Sequence, residues 1–112
     1  MISERQVQEI LTQYKKHGWS LRRVLISAET RGNLSDSVFE NAEISLSEID
    51  ALWFSRLTSE NRETWELRHL SGSPFALVEV FEADDDEEVR EEARQEMQTR
   101  LIETASKHSR QK

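Results

Sequence analysis

Thr64-Trp-Glu-Leu-Arg-His-Leu-Ser-Gly-Ser-Pro-Phe-Ala-Leu-Val-Glu-Val-Phe81 is the stretch on which the fold turns. Two runs rich in aromatic and β-branched residues flank Ser71-Gly72-Ser73-Pro74, the pattern of two strands around a turn. Pro74 suits the first position of a strand, where a missing N–H does least harm. Centring the turn on Gly72-Ser73 sets Leu70 opposite Phe75, His69 opposite Ala76, Leu67 opposite Val78 and Trp65 opposite Val80. Side chains alternate across a strand. One face then carries Trp65, Leu67, His69, Ala76, Val78 and Val80, a core face. The other carries Thr64, Glu66, Arg68, Leu70, Phe75, Leu77, Glu79 and Phe81, which mixes charges with aromatic and aliphatic groups. A slip of one residue would exchange the two sides, so the apolar pattern is expected to hold this register.

Upstream, Ser3-Glu4-Arg5-Gln6 matches a capping box. Val7, Ile10, Leu11 and Tyr14 follow at i, i+3, i+4 and i+7, and Lys15, Lys16 and His17 precede Gly18. Cap, stripe, basic last turn and terminal glycine define a helix over about residues 3–17. Trp19–Ser27 reads as a strand. Residues 28–49 are the weakest region, with a turn signal at Arg31-Gly32-Asn33 and a short helical turn over Leu34–Phe39. Ile49–Leu57 reads as a second strand. Pairing Leu57 with Thr64 sets Leu52 and Phe54 on the core face and Trp53 on the mixed face, opposite Arg68. An acidic start at Asp84–Glu88 opens a last helix whose narrow stripe is Val89, Ala93, Met97, Leu101 and Ala105.

The chain has no cysteine, which excludes disulfides and thiolate chemistry. No apolar run approaches the roughly 20 residues of a membrane span, and the N-terminus leads into no signal-peptide core. A cytoplasmic protein is the expectation. The net charge is −7, and residues 82–96, with nine acids and two bases, account for all of it. That balance argues against nucleic acid as a partner.

Candidate chemistry is sparse. His69 is the only histidine inside an expected strand, but no nucleophile accompanies it. Asp50 and Glu66-Leu-Arg68 resemble the Asp…Glu-x-Lys spacing of metal-dependent nucleases, where two carboxylates hold Mg²⁺. Arg68 stands at the lysine position and stays protonated. Arg22, Arg23, Arg56 and Arg68 sit on strands, where they would gather around an anion or form ordinary salt bridges. The acidic run lacks the ligand spacing of a calcium loop.

The expected fold is α+β: a helix, a four-stranded, mainly antiparallel meander and a C-terminal helix, in one domain over residues 1–106 with a polar tail at 107–112. Each helix has one apolar stripe, so both are expected on one sheet face, leaving the mixed face open. The expected function is a non-enzymatic protein-interaction domain, homodimeric through that face or bound there to another protein. Its contact residues would be Trp53, Glu66, Arg68, Leu70, Phe75, Leu77 and Phe81. No catalytic residue, metal or cofactor is assigned, and no membrane partner is expected. The alternative is a small metal-dependent hydrolase or nuclease using Asp50 and Glu66. A third reading has the strand arginines binding a small acidic ligand.

Overall fold

Ser3 caps the first helix as its spacing requires. In the computed structural model its side chain accepts from Gln6 N, and Gln6 reaches back to the Ser3 N–H, so two otherwise orphaned donors are satisfied. Helix α1 (Glu4–Lys16) ends before Gly18, whose φ of 86° lies in the left-handed region. A side chain there would meet no neighbour within 4 Å, so the backbone alone makes the demand for glycine. The structure describes residues 3–40, 42–70 and 76–110, with side chains described as far as residue 106.

The chain continues as β1 (Ser20–Ile26), α2 (Ala28–Arg31), a 3₁₀ turn (Asp36–Phe39) and β2 (Glu43–Leu46). β3 (Ala51–Leu57), β4 (Glu63–His69), β5 (Ala76–Phe81) and α3 (Glu87–Arg110) follow. The architecture is α+β with a largely antiparallel sheet and a C-terminal helix, as expected, but the sheet has five strands in the order β2-β1-β3-β4-β5. The expected four-stranded meander lacks β2, which lies parallel to β1. The weak region at 28–49 therefore holds both the crossover from β1 and β2 itself. Its Leu34 and Phe39 are buried against the sheet, and tertiary packing holds what local propensity did not announce.

Both expected strand registers are off by one residue. Leu57 pairs with Glu63, because Thr58 N still bonds Arg62 O at 2.8 Å and tightens the turn. Trp53 therefore faces Leu67 and lies beside Trp65. In the hairpin, Leu67 pairs with Leu77 and Arg68 with Ala76. The turn residues 71–75, including Phe75, lie outside the described residues. The observed register puts Leu77 and Phe81 on the side of Trp65 and Leu67, and Val78 and Val80 on the side of Glu66 and Arg68. Glu66 consequently faces Val78, and Glu79 faces Trp65.

These registers make two cores, one on each face. On the first, Val7 and Leu11 of α1 pack with Val24, Ile26, Leu52, Phe54, Leu34 and Phe39. On the second, Met97 and Leu101 of α3 pack with Leu25, Ala51, Trp53, Trp65, Leu67 and Phe81. The two long helices thus lie on opposite faces, contrary to the expectation of one shared face. Each fully buried aliphatic or aromatic side chain contributes roughly 1.5–3 kcal/mol, so splitting the stripes between the faces shelters both aromatic sets.

Arg94 completes the second face. It is 1% exposed, yet its guanidinium carbon stands 4.4 Å from the Trp65 ring centroid and 5.8 Å from that of Phe81. Glu87 and Glu91 pair with it, and Arg23 Nη2 meets Glu91 Oε1 at 2.9 Å. Burial alone would raise the Glu91 pKa, but hydrogen bonds from Arg23, Gln95 and Arg94 outweigh it and bring the value down to about 2.

Candidate functional site

The residues expected to form an exposed contact face are distributed through the molecule. Trp53 and Phe81 are buried in the core beneath α3, and the Trp53 indole donates to Gln98 at 2.8 Å. Leu77 is half-buried against the same core. Leu70 packs, half-buried, on the opposite one. Arg68 Nη1 donates to His69 O at 3.1 Å. Glu66 accepts from the Tyr14 hydroxyl. Phe75 is outside the described residues. Glu66, Arg68, Leu70 and Leu77 are each half-buried, and no described residue of the set is fully exposed.

Asp50 and Glu66 are not brought together. Asp50 lies level with Leu70, and Glu66 level with Phe54. Four residues of strand separate the two positions, about 13 Å at ~3.3 Å per residue. Asp50 instead accepts from Ser27 N at 2.8 Å and Thr30 Oγ1 at 2.7 Å, which fixes the start of α2 against the sheet. Among the described residues there is no group of three or more His, Asp or Glu side chains placed to hold a metal ion. No described helix is long and apolar enough to cross a membrane.

The four strand arginines divide between the faces. Arg22 and Arg23 approach Trp65, whereas Arg56 stacks 4.5 Å from the Trp19 ring centroid. They do not converge on one anion. His69 is buried at the end of β4.

A cleft of about 470 Å³ opens beside the end of α1, lined by Gln13, Tyr14, His17, Trp19, Arg56 and Glu66. Its polar groups already serve one another. Arg56 Nη1 donates to His17 O at 3.0 Å, and Tyr14 stacks on Phe54 with ring centroids 3.9 Å apart. Burial, the hydrogen bond to Glu66 and the negative charge of Glu66 push the Tyr14 hydroxyl far above the usual phenol range. A neutral tyrosine bound to a carboxylate in this way anchors α1 to β4 and supplies no base.

The more open feature is the β5 edge. β5 ends the sheet order, so its outer row of backbone groups has no strand beside it among the described residues. Val78 and Val80 are 54% and 50% exposed on the side away from α3. Between β5 and α3 lies a groove of about 190 Å³, where Leu77 and Glu79 meet Ala93, Glu96, Met97 and Arg100. Val89 continues that helix stripe and is 54% exposed. Sequence reasoning placed Val78 and Val80 in the core and so missed this surface. The signal available was the pair Leu77 and Phe81, whose larger combined apolar area favours burying them in preference to the two valines.

Comparison with protein-family models, with curated proteins and with solved structures finds no match. The site is therefore read from its geometry.

Proposed function

We propose that this chain is a non-enzymatic protein-association domain, and that β5 is the strand on which an extended segment of the partner docks. The observation that carries this reading is the exposure of Val78 and Val80 on an edge strand whose one charge is Glu79. Sheets ordinarily blunt their edges with lysine, proline, bulges or brevity. β5 runs six residues, Ala76-Leu-Val-Glu-Val-Phe81, with a single charge at Glu79 and regular pairing to β4. Strand addition at such an edge draws affinity from backbone hydrogen bonds and specificity from alternate side chains. Val78 and Val80 would meet the alternate apolar residues of the incoming strand, with Glu66 and Arg68 behind them.

The test is selection of random linear peptides, displayed on phage, against the immobilised protein. Selected peptides should alternate apolar and polar residues and lose binding to the double variant Val78→Lys, Val80→Lys, with circular dichroism confirming that the variant is folded. Peptides that bind this variant as well as the parent, or that map to the cleft beside Tyr14, would sink the reading.

A further inference from the structure

We propose that the strand docked on β5 is β5 of a second copy, antiparallel, with Val78 on the two-fold axis. This rests on the reading of β5 as the association surface and goes further by naming the partner and the register.

A two-fold axis normal to the sheet pairs a strand with its own copy antiparallel and keeps equivalent faces on the same side. Residues facing the same way then oppose each other. Over Ala76–Phe81, two such registers pair five residues: one centred on Val78, the other on Glu79. The second sets Glu79 directly against its own copy, and like charges opposed across strands are destabilising. The first sets Val78 against Val78, Ala76 against Val80 and Leu77 against Glu79. It joins the exposed valines of both copies into one apolar strip.

Charge on the helix side supports the same register. Val89, Ala93, Glu96 and Arg100 recur at i, i+4, i+7 and i+11, a single stripe of α3. Glu79, Glu96 and Arg100 line the groove, and none of the three forms an ion pair among the described residues. Opposing Leu77 with Glu79 across the axis carries Arg100 of one copy toward the acids of the other. The axis does this twice, so each cation gains acidic neighbours in the partner copy. About ten residues per copy take part, fewer than the roughly 20–30 a side of a standard stable interface. The dimer should therefore be concentration-dependent, dissociating on dilution.

The chain has no cysteine, so a single introduced thiol reports only on a second copy. Val78→Cys should give a disulfide-linked dimer under mild oxidation, since the two Cβ atoms meet on the axis. Val80→Cys should not, because its copies stand four residues apart along the strands, about 13 Å. Arg100→Glu should raise the dimer dissociation constant roughly tenfold in sedimentation. Adding Glu79→Arg should recover most of that loss. Preferential cross-linking through Glu79→Cys or Val80→Cys would overturn the register. A parent chain that stays monomeric at high concentration, with no cross-link at any position, would overturn the second copy as partner. Peptide binding to β5 would survive that result, so the two readings fail separately.

Discussion

The sheet ends on one side in β2, four residues parallel to β1, and on the other in β5, six residues antiparallel to β4. β2 is short, carries Glu43, and is tied down by a crossover whose Leu34 and Phe39 are buried. Its exposed Leu46 stands alone at the strand's end. β5 is longer and regular, and it exposes two valines on one side while Phe81 and Leu77 root it in the core on the other. One edge is thus kept short, whereas the other is longer, rooted in the core on one side and left open on the other. Rigidity matters for association, because a pre-ordered strand has already lost the entropy that docking would otherwise cost.

Four substitutions or conditions break or sharpen this contrast. Phe81→Ala should have the largest effect, about 3–5 kcal/mol in urea unfolding, because it empties a buried site under Arg90 and Arg94. It should also unsettle β5 and weaken association. Asp50→Ala should cost about 1–3 kcal/mol, since it strips partners from the Ser27 N–H and the buried Thr30 hydroxyl. Hydrogen exchange should locate the loosening in α2 and β2 and leave β5 protected.

The pH effect comes next. The folded-state pKa of Glu91 is lowered from 4.5 to about 2, so its contribution is full above about 4.5 and is lost as pH falls toward 2. Melting temperatures between pH 5 and pH 2 should drop less in Glu91→Gln than in the parent. The effect should be modest, because this ion pair is partly solvated. Leu46→Lys should be the mildest, within about 0.5 kcal/mol and without change in sedimentation. A Leu46→Lys variant that lost association would reverse the assignment of open and closed edges.

Much of the fold was legible where local chemistry is self-sufficient. Ser3, Gln6 and Gly18 mark α1 without help from the rest of the chain, and β1, β3, β4 and β5 fall within two residues of the expected runs. What was not legible depends on distant partners. β2 alternates only weakly and is held by packing from Leu34 and Phe39. The β3–β4 register turned on a single pairing, Thr58 with Arg62, which moved Trp53 from surface to core, and a separate one-residue difference between β4 and β5 moved Phe81 there. Arg94 sits within an acidic helix and reads as a solvated charge. Its burial follows from Trp65, Glu87 and Glu91 converging on it, which periodicity alone does not disclose. The candidate site was lost for the same reason, since exposure of Val78 and Val80 is a consequence of register.

The position of β1 between β2 and β3 also sets an order of assembly. β3, β4 and β5 are joined by short connections, so their pairing closes small loops, while β1 must return across some thirty residues to reach β3. The meander is therefore the natural nucleus, onto which the N-terminal half condenses. Pulsed amide labelling during refolding should find Trp53 and Leu67 protected before Val24 and Ile44; the reverse sequence would place the nucleus in the N-terminal half.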